Sequence, residues 1–77
     1  MAPEESIAIT TEFIKLDAFL KLAGAVRSGG EAKQRVQNGE IQVNGETCTQ
    51  RGKKLRDGDR VQIDGRQYMV RQATVRP

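Results

Sequence analysis

The sequence predicts a single α+β domain, with two packed helices followed by a small curled antiparallel sheet. Near position 20, apolar residues recur at i, i+3, i+4 and i+7, the spacing of a helix face. Asn-Gly at 44–45 and Asp-Gly at 64–65 each separate short alternating stretches, which indicates two β-hairpins. The chain has 77 residues, enough for one domain with a modest core, so residues 1–77 are assigned to that domain.

Both ends of the chain are predicted to be loose, over residues 1–6 and 72–77, because neither stretch has a periodic apolar pattern. Between them, Ile7 and Ile9 share a face in the manner of a short strand. Phe13 and Ile14 lead into the first helix and are expected to pack in the core.

The first helix is predicted from an apolar stripe that ends at Gly24, a residue that can close a helix in the left-handed conformation. The stripe consists of Leu16, Phe19, Leu20 and Ala23. The polar side carries charged residues that are assigned to a solvated helix face, namely Lys15, Asp17 and Lys21.

The second helix is predicted to begin near Ser28, because Ser28 and Glu31 form a capping-box pattern that satisfies backbone N–H groups at a helix start. It is expected to end at Asn38-Gly39. A strand at 41–43, the Asn44-Gly45 turn and a Thr-rich return strand at 46–49 follow.

The second hairpin has a predicted register. If Asp64-Gly65 forms a two-residue turn, Ile63 pairs with Arg66 and Val61 lies opposite Tyr68. Four side chains then share a buried face, namely Val61, Ile63, Tyr68 and Val70. Three acids are predicted to be turn residues whose carboxylates accept hydrogen bonds from nearby backbone N–H groups, namely Asp57, Asp59 and Asp64.

The charge of the chain is unevenly distributed along the sequence. Residues 1–12 hold three glutamates and no basic residue, whereas the rest holds all 13 Lys and Arg against seven acids. Residues 51–56 alone contain four cations around one apolar residue, Leu55. Such a distribution favours a polyanionic partner, although a solvated basic surface would also produce it.

Several function classes are disfavoured by what the sequence lacks. The chain contains no histidine and a single cysteine, Cys48, so neither a zinc site nor an internal disulfide is expected. No metal, no cofactor and no catalysis are expected, because the acids are scattered through turns and caps. No apolar run is long enough to span a membrane and no signal peptide is apparent, so we expect a cytoplasmic protein.

Anion binding is the best-supported chemistry. Ser28-Gly29-Gly30 opens a helix, where free N–H groups and the positive end of the helix dipole can meet a phosphate, and Arg27 lies just before it. Lys33 and Arg35 are expected on the exposed side of the same helix. A simple cap followed by a tight turn remains an alternative for this motif.

A set of short motifs in order resembles the ribosomal protein S-four-like RNA-binding domain, and more closely the short bacterial proteins that consist of this domain and little else. The resemblance covers roughly residues 13–64. The motifs are Leu16-Asp17, Phe19-Leu20, Gly24, Ser28, Ala32-Lys33, Asn38-Gly39, Ile41, Val43-Asn44-Gly45 and Gly58-Asp59-Arg60-Val61.

The resemblance implies the αL motif of that domain, and a basic surface that binds structured RNA, often ribosomal RNA, without catalysis. Many members have a basic residue where this chain has Gly29. Gln42 and Asn44 are predicted to contact sugars or base edges. Together with the cations above, the predicted RNA-binding set is Arg27, Ser28, Gly29, Lys33, Gln34, Arg35, Gln42, Asn44, Gly45, Arg51, Lys53, Lys54 and Arg56.

Base stacking is expected to be minor, because the three aromatic residues Phe13, Phe19 and Tyr68 are all assigned to the core. Three alternatives stay open: a module that docks its basic face on an acidic protein, an RNA-targeting accessory to a separate RNA-modifying enzyme, and DNA binding. Nothing in the sequence calls for more than a monomer.

Overall fold

The computed structural model of the protein describes residues 4–73. Two helices lie between strands in an α+β arrangement, as predicted. No helix in this range is long and apolar enough to cross a membrane. The elements are β1 (Glu4–Ile9), β2 (Ile14–Lys15), α1 (Leu16–Leu22), α2 (Gly29–Gln37), β3 (Gln42–Val43), β4 (Glu46–Thr47), β5 (Lys54–Leu55), β6 (Arg60–Ile63) and β7 (Arg66–Gln72).

Helix α1 confirms the predicted apolar stripe, since Leu16, Phe19 and Leu20 are all completely buried. The helix closes at Ala23, and Gly24 follows with a φ of 76°, a left-handed conformation that costs glycine little. The buried side packs against α2 and the sheet, which leaves Lys21 and Leu22 exposed.

Helix α2 begins after Ser28, as predicted. The Ser28 hydroxyl accepts a hydrogen bond from the Glu31 N–H at 3.2 Å. The Glu31 carboxylate accepts the N–H of Arg27 at 2.8 Å, one residue before the position expected in a capping box. The helix closes at Asn38, where the predicted Asn38-Gly39 ending is confirmed.

Five strands form one sheet in the order β1-β7-β6-β3-β4. The prediction of a purely antiparallel sheet is wrong at one edge, because β1 pairs with β7 in parallel. The prediction of loose ends is also wrong in part: Glu4–Ser6 form the first half of β1, and Gln72 is the last residue of β7. The remaining residues of both predicted loose ends, except Ala73, lie outside the described range.

Both hairpins form as predicted. Asn44 and Gly45 have φ values of 53° and 86°, and Asp64 and Gly65 have 53° and 74°, so both central residues of each turn are left-handed, as in a type I′ turn. The β6–β7 register pairs Ile63 with Arg66 and Val61 with Tyr68, which confirms the predicted pairing.

The core lies between the two helices and the inner face of the five-stranded sheet. The Phe19 and Tyr68 rings meet edge to face, with centroids 6.4 Å apart and planes at 81°, and so connect α1 to the sheet. The predicted β6–β7 face is buried, with Val61, Ile63, Tyr68 and Val70 each at most 2% exposed.

A second sheet of two very short strands, β2 and β5, was not predicted. Ile14 pairs with Leu55 and Lys15 pairs with Lys54 in antiparallel register. Leu55 is completely buried, and Ile14 packs against the core. The small sheet is therefore anchored to the core by one face, and its other face lies outside.

Candidate nucleic-acid interface

The lysine-rich segment, residues 51–56, is fixed to the start of α1. Its carbonyl groups accept the first N–H groups of that helix: Leu16 donates to Lys53 at 2.9 Å and Asp17 donates to Arg51 at 3.1 Å. These N–H groups have no partner within a helix, so the segment serves as its cap. The cations of the segment are therefore held on an ordered backbone, and all four are exposed.

Phe13 departs from its predicted role in the core. It is half-buried and is not part of the buried cluster. Instead, the Lys54 Nζ lies over its ring at 4.9 Å from the centroid, and the Arg56 guanidinium carbon lies over it at 5.8 Å. These are cation–π distances. The ring therefore belongs to the basic surface.

The β3–β4 hairpin carries Gln42, Asn44 and Gly45 in exposed positions. The side chain of Asn44 already has partners within the chain: its amide nitrogen donates to Asp59 Oδ1 at 3.1 Å, and its oxygen accepts the Arg60 N–H at 2.9 Å. These bonds tie the hairpin to the start of β6. Asn44 thus has a structural role that the sequence did not reveal.

The hairpin and the lysine-rich segment border the same hollow. This open depression has a volume of about 270 Å³ and is lined by Val43, Glu46, Thr47, Cys48, Thr49, Gln50 and Lys53. Cys48 is buried, and its thiol lies 3.5 Å from the Gln50 carbonyl oxygen. The predicted RNA-binding residues fall in three regions: the start of α2, the β3–β4 hairpin and the lysine-rich segment. The last two are adjacent.

Several features of the α2 start favour the binding of an anion, and one feature opposes it. In residues 4–73, the N–H groups of Gly29 and Gly30 have no acceptor, and the space beside Gly29 is open. Arg27 is exposed nearby. However, the Glu31 carboxylate bonds to the Arg27 N–H and places a negative charge at the same helix end. Farther along, Lys33 and Gln34 are exposed.

Arg35 was expected on the exposed side of α2, and this expectation is wrong. Its side chain is only 22% exposed and forms ion pairs with Glu40, at 3.2 Å, and with Asp64 in the β6–β7 turn. The Asp64 carboxylate therefore meets a guanidinium rather than the backbone N–H that was predicted. Of the other two turn acids, Asp59 behaves as predicted and accepts the N–H of the nearby Arg56. Asp57 instead accepts the N–H of Gln72, 15 positions away in the chain.

The acidic N-terminal strand lies at the opposite edge of the sheet from the β3–β4 hairpin, because β1 and β4 are the two edge strands. Glu4 forms an ion pair with Arg60 at 3.2 Å and accepts a hydrogen bond from Gln67. The Glu4 carboxylate is thus bound on the sheet. Within residues 4–73, no three potential ligand side chains are grouped to hold a metal ion.

The S4 domain family matches residues 7–71, which is most of the chain. The chain belongs to the S4 domain family. Its match confirms the resemblance drawn from the sequence motifs and extends it at both ends.

Known proteins that are similar to this S4 domain include a bacterial protein and a ribosomal protein of known structure. The "Probable ribosome maturation protein RlbA" of Bacillus subtilis is 49% identical over 59 residues, which cover 77% of this chain and 83% of that protein. The crystal structure of the 30S ribosomal protein S4e from Thermoplasma acidophilum matches 78% of this chain with a TM-score of 0.60 and 22% identity. The match spans 32% of the archaeal protein and shows that the two share a fold.

In this S4 domain, α1 runs from the lysine-rich segment at its start towards the 23–28 turn that precedes α2. The segment and the β3–β4 hairpin are brought together around one hollow, and Arg35 is set apart from them by its ion pairs. That the α2 start faces the same way as the hairpin and the lysine-rich segment stays a prediction.

Proposed function

We propose that this protein is a non-catalytic RNA-binding protein that recognises structured RNA of the ribosome or its precursors. The observation that carries the proposal is the group of exposed cations on residues 51–56, fixed to the start of α1 and adjacent to the β3–β4 hairpin. Membership of the S4 family supports it, as does the similarity to a protein named for ribosome maturation.

Binding would depend mainly on charge and shape. Arg51, Lys53, Lys54 and Arg56 would neutralise phosphates, which releases counterions and makes the affinity depend on salt. The N–H groups of Gly29 and Gly30 would donate hydrogen bonds to the oxygens of a further phosphate at the α2 start. Gln42, exposed and without a side-chain partner in residues 4–73, would contact sugars or base edges of an irregular RNA.

The acidic side chains of this fold have structural roles, which fits a binding function without catalysis. Asp57 and Asp59 hold backbone N–H groups at a turn, and Asp64, Glu40 and Glu4 hold arginines. None of them is paired with a nucleophile or placed as a general base in the described residues. We expect a monomer that acts in the cytoplasm, where ribosomes are assembled.

The salt dependence of RNA binding tests the proposal. The affinity for a labelled, folded ribosomal RNA fragment would be measured at several salt concentrations, and the logarithmic slope should be about 0.7 to 0.9 per phosphate contact. Replacing Lys53 and Lys54 with Ala should flatten that slope by about one to two units. The charge-matched control is R66A/R71A, which removes two exposed arginines of β7. It should leave the slope close to that of the unaltered protein.

An unchanged slope in the Lys53 and Lys54 variant would contradict the proposed surface. Equal competition by duplex DNA at the same salt would contradict selectivity for RNA. Recovery of one acidic protein that survives exhaustive nuclease treatment, without measurable RNA affinity, would instead support a protein-docking module.

A further inference from the structure

The outer face of the β2–β5 sheet carries three cations and one aromatic ring. Side chains of opposed residues in an antiparallel pair point to the same face. Ile14 and Leu55 point inward to the core, so the adjacent pair, Lys15 and Lys54, points outward. Phe13 and Arg56, which flank the inward pair, lie on the outer face as well, because side chains alternate along a strand.

This arrangement is electrostatically unfavourable for the protein alone. Lys15 and Lys54 are directly opposed, a placement that brings their Cβ atoms to about 5 Å and destabilises a sheet when the charges are alike. Among residues 4–73, no ion pair involves Lys15, Lys54 or Arg56. The acids closest in sequence to Arg56, Asp57 and Asp59, accept backbone N–H bonds instead of meeting its guanidinium.

The Phe13 ring orders two of these cations. Lys54 Nζ and the Arg56 guanidinium lie over the same ring, at 4.9 and 5.8 Å from its centroid. Both side chains have long flexible stems, and holding them before a ligand arrives reduces the entropy lost on binding. With cations over it, the ring is not a free platform for a nucleobase.

We propose that Phe13, Lys15, Lys54 and Arg56 form a phosphate clamp for the sugar–phosphate backbone of the bound RNA. Lys15, Lys54 and Arg56 contact phosphate oxygens, and Phe13 is a positioning residue that acts through Lys54 and Arg56. A phosphate between Lys15 and Lys54 relieves their repulsion. The clamp rests on the proposed RNA-binding function and assigns to it two residues, Phe13 and Lys15, that the sequence placed in the core and on a solvated helix face.

Replacing Lys15 tests the direct contact. K15Q should remove about one phosphate contact with the folded ribosomal RNA fragment. The salt slope should therefore be flatter by roughly 0.7 to 0.9 units. The matched control is K21Q, because Lys21 is also exposed and lies within α1, whereas Lys15 immediately precedes this helix. K21Q should leave the slope unchanged. Equal slopes for K15Q and K21Q would overturn the contact.

Replacing Phe13 tests the positioning role. F13L should weaken RNA binding by about three- to tenfold, because two side chains lose their order before binding, whereas F13Y, which keeps an aromatic face, should bind like the unaltered protein. In a K54Q/R56Q background, F13L should have almost no further effect, because the groups through which Phe13 acts are gone. The same loss in both backgrounds would instead show a direct contact between Phe13 and RNA and would overturn the positioning role.

The outcomes separate the clamp from the function on which it rests. The RNA-binding function stands if the unaltered protein binds RNA and the slope is flatter for the Lys53 and Lys54 variant. If K15Q and F13L then behave like K21Q, the clamp alone is wrong. If neither the unaltered protein nor any variant binds RNA, both fail. Thermal unfolding of F13L should match that of the unaltered protein, because Phe13 lies outside the buried core.

Discussion

Two arginines at the five-stranded sheet are neutralised by acids of the fold, whereas the opposed lysines of the two-stranded sheet have no acidic partner in residues 4–73. Around the five-stranded sheet, Arg60 pairs with Glu4 and Arg35 pairs with Glu40 and Asp64. On the two-stranded sheet, Lys15 and Lys54 have no ion-pair partner in residues 4–73 and oppose each other directly. Net charge alone therefore does not locate a binding surface, because part of it is neutralised within the fold.

The largest expected effect comes from the residue that anchors the two-stranded sheet to the core. L55A should lower the free energy of unfolding by about 2 to 5 kcal/mol, since Leu55 is completely buried and the substitution leaves a cavity. RNA affinity should fall with it, because β5 loses its anchor. Chemical denaturation measures the change.

The control for this variant is L22A. Leu22 is 55% exposed, and its replacement should change stability by no more than about 0.5 kcal/mol. Equal effects for L55A and L22A would show that the small sheet is not packed on the core as described.

A smaller effect is expected at the turn that carries Asp64. G65A should destabilise the protein by about 1 to 2 kcal/mol, because Gly65 has a φ of 74° and a left-handed conformation is costly for a residue with a Cβ. G29A is the matched control: its backbone is not left-handed and the space around it is open, so stability should be retained. Thermal unfolding of both variants compares them, and an equally stable G65A would contradict the turn geometry.

Removing the charge at the same turn should have a smaller effect still. D64N should cost up to about 1 kcal/mol, because the ion pair with Arg35 is only partly buried and asparagine tolerates the left-handed conformation of this position. The difference from the unaltered protein should shrink in 1 M salt, which screens such pairs. The salt slope of RNA binding should not change, and a steeper slope would place the freed Arg35 at the RNA surface after all.

Local signals in the sequence predicted the helices and hairpins well. The cap at Ser28, the Gly24 and Asn38-Gly39 endings and the β6–β7 register all depend on residues close together in the chain. A two-residue turn fixes its own register, and Asp64-Gly65 did so here.

Contacts between distant parts of the chain were not predictable in this way. The parallel β1–β7 pair joins Glu4 to Gln67, and the Arg35–Asp64 ion pair joins residues 29 positions apart. Phe13 was misassigned because two adjacent apolar residues, Phe13 and Ile14, cannot both point inward along a strand, and the sequence does not say which one does. The strands β2 and β5 are two residues long, too short for a periodic pattern.

One pair of variants tests the central claim that the unpaired cations at the two-stranded sheet, rather than total charge, bind the ligand. Arg56 and Arg60 are four positions apart; both are exposed, but only Arg60 has an ion-pair partner in the described residues. The salt slope of RNA binding would be measured for R56Q and R60Q. The expected result is a slope flatter by roughly 0.7 to 0.9 units for R56Q and unchanged for R60Q. Equal changes in the two variants would contradict the claim.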